Sequence, residues 1–496
     1  MAKSIIVIGA GMGGLAAGIY GRLNGFTTTI YEAHTLPGGQ CASWKRQGYT
    51  FDACIHHLFG CDPRFALYHI WEELGAMPRQ MVQPADCVSV LGPDGTLFSD
   101  YYDLEQLREH MLAIAPDDHQ AIDHYIQGIR IAGQKDLFGD LALRGLGAKI
   151  GLLPTAWRLR PYLQLALDQF ATQFQSDLLR RGFPLVAYSW PKAPLVLHLM
   201  KHAAGTQGGI QWPVGGARAF AQSMAQRFTA LGGAIHYGSR VATILTEDDR
   251  AVGIRLEDGT EDRADYVVSN ADGRKTIMGL LRGAYTTPQI QEWCAEPDDE
   301  TNWAVHVFLG VDRDLSREPS ALVMLLDEPV QIADHVYNSL EMQIYGFDPS
   351  MAPPGKGVIK VELVSTYSYW KALATDRARY EEEKGKVADQ VIEILERRFP
   401  GIRSQVEVID VPTLLTWERF MGGTHGFANF PKKPFDMMSS IMGTRMNLTL
   451  PGLKHFFFAG GWATSAGALF MNALSGQRVV QRICTEEHKR FTSSTG

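Results

Sequence analysis

Cysteine is scarce in this sequence, six scattered among 496 residues, which excludes a disulfide scaffold and agrees with a reducing compartment. Cys41, Cys54, His56, His57 and Cys61 do fall close together, but their spacings match no usual zinc pattern, so no metal site is expected. Long apolar runs are missing as well. The nearest approach to one, Phe456 to Gln477, is uncharged yet rich in Gly, Ser, Thr and Asn, and no window reaches the roughly 18 apolar residues of a membrane span. Positive charge is in deficit, with a formal net charge of -7, which argues against general nucleic-acid binding. What is present, 45% hydrophobic and 20% charged residues, suits a large globular chain with two or three cores.

Glycine is plentiful, and its placement near the start is informative. Ser4 to Ala33 reads as strand, glycine turn, helix and second strand ending in a carboxylate. Ile5 to Ile8 is a β-branched run that suits a strand buried on both faces. In the GxGxxG pattern that follows, Gly9 makes the tight turn, Gly11 lets backbone approach a diphosphate, and Gly14 lets helix and strand pack closely. The helix start then offers N–H groups and a positive dipole end. Glu32 follows Gly14 by 18 positions, near the spacing of an acid that binds ribose hydroxyls. Lys3 before an apolar run could suggest a secretory signal, but the run is interrupted by glycines and continues into the second strand. The mature chain is therefore expected to start at or near Met1, in the cytoplasm.

NAD and FAD share this first fingerprint, so the rest of the chain must choose between them. After Glu32 comes Leu36 to Trp44, with Gly38-Gly39, followed by Gly48-Tyr-Thr-Phe-Asp52; the glycine pair reads as backbone passing the diphosphate or as an ordinary turn. Farther on, Trp212-Pro-Val-Gly-Gly216 opens a helix to about Leu231. Short strands follow at Ala234–Tyr237, Val241–Leu245, Val252–Leu256 and Ala264–Asn270. Near the end, Phe456 to Trp462 is an apolar strand breaking at glycines, and a helix from about Phe470 to Cys484 would aim another dipole at the cofactor.

Together the opening GAGMGGLAAG with Glu32, the PGGxxxSW segment with GYTFD, the central WPVGG and the final FFFAGGW to ALSGQR resemble FAD-dependent oxidoreductases of the phytoene desaturase, carotenoid isomerase and retinol saturase group. That group lies within the amine oxidase and GDI-like superfamily. The resemblance spans nearly the whole chain and speaks for FAD more than for any substrate. It implies an α/β fold: a discontinuous Rossmann-like FAD-binding domain, an inserted α+β substrate domain and a helical cap. By position it implies that Gly9, Gly11, Gly13 and Gly14 wrap the diphosphate and that Glu32 holds the adenosine ribose. Gly38 and Gly39, with Gln40 and Trp44, would follow the diphosphate and ribityl chain, and Val241 would touch adenine through its backbone. Gly460, Gly461 and Leu469 would reach the flavin end. The chain departs from the family pattern at Gln40, often Arg, at Gly461, often Asp or another polar residue, and at Ala466, Ala468 and Phe470, which replace glycines and a proline.

On this reading residues 1–85, 205–285 and 445–496 build the FAD-binding domain. Residues 86–204 form a helical cap with possible membrane contact, and 286–444 form the substrate-binding domain. Strands are expected at Ala304–Val311, Ala321–Leu326, Gln343–Phe347 and Val358–Val364, and a helix at Arg379–Arg398. Gly145 to Gly151 lacks the strand and acid a second nucleotide site needs, so NAD(P)H could serve only as a transient reductant visiting the flavin. From Leu141 to His202 eight Lys and Arg stand against Asp168 and Asp177, a balance of +6 in a chain of -7, interleaved with Trp157 and other apolar residues. This reads either as a surface for an anionic bilayer or as a lid whose apolar face is internal.

The resemblance implies exchange of a hydride at flavin N5 with a C–C or C=C unit of an apolar isoprenoid, carotenoid-like or other lipid, giving desaturation, saturation or isomerisation. Candidate groups by family position are His56, His57, Trp417, Glu418, Arg419, His425 and Trp462. Of these His56, His57 and Trp462 are the catalytic candidates, the imidazoles because they titrate near neutrality. The alternative is that they pack beneath the flavin, and Glu418 with Arg419 reads as a structural ion pair. A flavin-free GDI-like prenyl- or lipid-binding protein is the second functional reading.

Overall fold

The computed structural model describes residues 2–143, 146–187, 191–294, 301–424, 446–464 and 468–493. His425, Ala466 and Gly145, singled out above, lie outside them.

Five strands form one parallel sheet in the spatial order Ala234–His236, Thr27–Tyr31, Ser4–Ile8, Tyr266–Ser269, Phe456–Phe458. Their side chains alternate between two apolar layers, as a strand's period of two requires. Ile5, Val7, Ile30, Val268 and Phe457 face the helices Met12–Leu23, Gly216–Ala230 and Leu469–Glu486. Ile6, Ile8, Val267, Phe456 and Phe458 face an antiparallel three-stranded sheet, Val241–Glu247, Arg250–Leu256 and Glu261–Arg263. With both faces covered, the strands Ser4–Ile8, Tyr266–Ser269 and Phe456–Phe458 read as short, mostly apolar runs.

A second sheet has seven strands in the order Val406–Asp410, Thr301–Val311, Gly357–Thr366, His335–Ile344, Ala321–Ile332, Asp86–Leu91, Leu97–Tyr101. All pairings are antiparallel except that of Ala321–Ile332 with Asp86–Leu91. The first part of the expected helical cap is thus corrected: residues 86–101 are a hairpin that extends this sheet. The turn Gly92-Pro-Asp-Gly95, with Gly95 at φ +85°, closes it. Helix Arg377–Arg398, capped by Asp376 through the N–H of Ala378 at 2.9 Å, buries Val387, Val391, Ile392 and Leu395.

Among the described residues of 104–206 the regular elements are helices, including His119–Ala132, Leu153–Leu163 and Leu195–Thr206. They are pinned to the sheet by Asp100, fully buried, which accepts the Tyr125 hydroxyl at 2.9 Å and lies 3.3 Å from Nε2 of both His198 and His202. Burial alone would raise the Asp100 carboxyl, but the two imidazoles outweigh it and hold it well below the usual range.

Candidate functional site

The carboxyl ends of the parallel strands open onto a cleft of about 720 Å³. Open α/β sheets bind ligands at this end. The first strand stops at Gly9, whose φ of +94° turns the chain while its N–H donates to Tyr31 O at 2.8 Å. Gly11 then caps helix Met12–Leu23 with extended backbone. The second glycine segment lies against the first: Gly38 N–H donates to Ala10 O at 2.8 Å, and Gly11 and Gly38 form a parallel bridge. The third arrives from the far end of the chain. A Cβ at Gly13 would stand 2.4 Å from Gly460 N and 2.7 Å from Asn270 Oδ1, so the two turns meet only as glycines.

Asn270 was not recognised from sequence. Its N–H donates to Ile8 O at 2.8 Å, and its side chain sits among Gly11, Gly13 and Gly460. The available signal was a lone amide directly after an apolar parallel strand, Tyr266–Ser269. Gly14 performs its expected packing role, because a Cβ there would fall 2.0 Å from Gly9 O. It is the one cofactor candidate outside the described lining. Gly9, Gly11, Gly13, Glu32, Gly38, Gly39, Gln40, Trp44, Val241, Gly460, Gly461 and Leu469 all line the cleft.

Glu32 marks one end. Its Oε2 accepts the Ala10 N–H at 2.6 Å and its Oε1 that of His34 at 2.7 Å, while its backbone O accepts Ser239 N–H at 2.8 Å and so draws Val241 alongside. One wall of the cleft is aromatic. Trp44 donates its indole N–H to Asp410 at 2.9 Å and stacks edge-on against Phe308 and Trp417, with centroids 5.2 and 5.9 Å away. Arg46, Arg218, Arg240, Lys275, Lys384 and Arg419 line the cleft against Glu32, Asp272 and Asp410, a cationic excess suited to a diphosphate. Bare backbone, a helix start, an acid at the end of the second strand and surplus cations fit an adenine dinucleotide.

The catalytic candidates separate. Trp462 lines the cleft but is packed tightly: a Cβ on Gly273 would fall 1.8 Å from its ring, and Phe458 lies 6.2 Å away. His56 and His57 are outside the described lining. His56 Nε2 lies 3.1 Å from Glu362 Oε1, which also takes Lys360 Nζ at 2.7 Å. Burial would raise Glu362, but His56 and Lys360 outweigh it and hold the carboxyl well below its ordinary value. His57, against Phe59 at 5.0 Å, is kept neutral by burial and by the nearby charges of Lys201 and His56. That direction runs against the near-neutral titration expected from sequence. The pairing expected between Glu418 and Arg419 is also replaced: Glu418 accepts the Tyr367 hydroxyl at 2.6 Å, and Arg419 lies over Phe420 at 4.6 Å. Adjacent residues on a helix point in different directions.

Fold and cleft define a mixed α/β protein with a doubly covered parallel sheet, a glycine-lined cleft at its carboxyl end and a second sheet beside it. The chain belongs to the family of flavin containing amine oxidoreductases, whose pattern matches residues 12–484. It is similar to a chloroplastic prolycopene isomerase of Daucus carota, at 24% identity over 97% of this chain and 80% of that one. It is also similar to a lycopene-forming phytoene desaturase of a Paracoccus species, at 26% identity over 86% and 87%. Among solved structures, an oxidoreductase of Methanosarcina mazei matches with a TM-score of 0.64 at 19% identity, over 96% of this chain and 100% of that one.

Proposed function

We propose that this chain is an FAD-dependent oxidoreductase acting on the C–C or C=C bonds of an apolar isoprenoid or carotenoid-like lipid. The observation that carries the cofactor is the meeting of three glycine segments, around Gly13, Gly38 and Gly460, at one helix start, with Glu32 lining the same cleft and bonded to the Ala10 N–H. The similarity to a prolycopene isomerase and a phytoene desaturase supports the substrate class. Residues 1–85, 205–285 and 445–496 would hold the FAD, and 286–444, with the 86–101 hairpin, would cover the substrate.

Bound FAD supplies two-electron exchange with a carbon–carbon unit held against its ring. The residues do the rest. Glu32 binds the ribose hydroxyls, and the N–H groups at the start of helix Met12–Leu23 face the diphosphate. Trp44 and Trp417, backed by Phe308, would wall the cleft and exclude water. His56, paired with Glu362 but outside the described cleft lining, is the proton-handling candidate.

The test is anaerobic incubation of oxidised and reduced enzyme with polyprenyl, polyene and retinoid lipids, followed by mass and isomer analysis. Loss of two hydrogens, gain of two, or an isomer of unchanged mass each selects one reaction. Purified protein without flavin absorbance that cannot take up added FAD would remove the enzyme reading and leave the flavin-free lipid binder.

A further inference from the structure

The helical region carries two apolar faces where internal packing requires one. Helices Leu146–Gly151 and Leu153–Leu163 follow each other with one residue between them. Inward, Leu152, Thr155, Leu159 and Tyr162 are buried at spacings of three and four, and the Tyr162 hydroxyl donates to His124 O at 2.9 Å. That stripe satisfies the docking of an amphipathic helix onto its neighbours. Outward, Ile150 is 57% exposed, Leu153 65% and Trp157 72%, the three most exposed large hydrophobic side chains among the described residues. Their spacing of three and four again selects one side. A lid whose apolar face is internal accounts for the first stripe and leaves the second without a purpose.

Charge identifies what covers it. Between Leu146 and Leu163 stand Lys149, Arg158 and Arg160 with no Asp or Glu, in a chain whose net charge is -7. The Arg160 guanidinium lies over the Trp157 ring at 5.5 Å, so cation and indole share one level of the surface. A second copy of the chain would set these cations against themselves across a two-fold interface. A bilayer with anionic headgroups offers both negative phosphates and an apolar interior. No helix of the described residues is long and apolar enough to cross a membrane, so the contact is peripheral.

We infer that helices Leu146–Gly151 and Leu153–Leu163 are the face by which this protein docks on an anionic lipid surface. Leu153 and Trp157 enter the headgroup boundary, and Lys149, Arg158 and Arg160 lie at the phosphates. The location suits an enzyme of apolar substrates, a point that rests on the proposed function. The preceding helix Leu137–Ala142 sets the Phe138 ring 5.2 Å from Phe59 and 6.3 Å from Phe470, next to Leu469 of the cleft.

The test is co-sedimentation of the full chain with vesicles of phosphatidylcholine alone and of phosphatidylcholine containing about a third phosphatidylglycerol. Wild type is expected to bind the anionic vesicles, less so as salt rises. Arg158→Gln with Arg160→Gln should weaken that binding about 30-fold, from roughly a factor of five per charge. Leu153→Ser with Trp157→Ser should weaken it at least ~10-fold. Thermal midpoints and flavin content should stay at wild-type values, because these side chains are exposed. Wild type that fails to sediment, or variants that sediment equally, overturns the inference. So does a dimer, seen by sedimentation velocity, that Trp157→Ser dissociates while vesicles remain unbound. The readout needs no turnover, so an absent flavin would sink the proposed function and leave this result standing.

Discussion

Glu32 binds the N–H of Ala10 through one oxygen and that of His34 through the other, so it shapes the glycine turn as well as the proposed ribose contact. Charge-assisted hydrogen bonds are worth about 1.5–3 kcal/mol, and Glu32→Ala should therefore weaken FAD retention roughly 10- to 100-fold. Flavin absorbance surviving gel filtration measures this, and full occupancy would remove the ribose assignment. His56→Gln is expected to lower turnover by about 10²-fold or more with an unchanged flavin spectrum, if His56 handles the proton. Asp86 supplies a different kind of prediction. Burial pushes its carboxyl up to about 6, although the Ser89 hydroxyl donates to it at 2.5 Å. The folded state thus holds this proton more tightly than the unfolded chain, where an aspartate titrates near 4. The resulting stabilisation is complete below about pH 4 and is lost as pH rises through about 6. Asp86→Asn should raise stability by about 2 kcal/mol at neutral pH and by nothing near pH 4, as read from denaturation midpoints at the two values. A gain equal at both would indicate packing.

Helix starts are the elements on which the cleft depends. Helix Leu469–Glu486 lies against Met12–Leu23 at Gly476, where a Cβ would fall 2.4 Å from Gly13 O and 2.6 Å from Ala17 N. Gly13→Ala must move both the Gly460 turn and the Asn270 side chain, at a cost of about 1–3 kcal/mol, and should abolish FAD retention. Equilibrium denaturation with flavin absorbance checks both. These elements were legible in the sequence because their signals are local: a β-branched run, a glycine pattern and an acid within one short stretch. The strands Thr301–Val311 and Gly357–Thr366 were legible for the same reason, with ends displaced by a few residues. The hairpin of residues 86–101 carried its own turn signal at Pro93-Asp94-Gly95, but its partner strand, Ala321–Ile332, comes from the far part of the chain, and the segment was merged with the helices that follow it. Asn270 and the pairing of His56 with Glu362 were not legible at all. Each depends on elements brought together only by the completed sheets.

At the scale of the whole molecule, the first strand, Ser4–Ile8, lies at the centre of the parallel sheet, and Phe456–Phe458 closes its edge. A ribosome must therefore extrude most of the polypeptide before Gly460 can reach Gly13. Flavin capture becomes an event that follows synthesis, and the nascent chain waits with its central crevice half built.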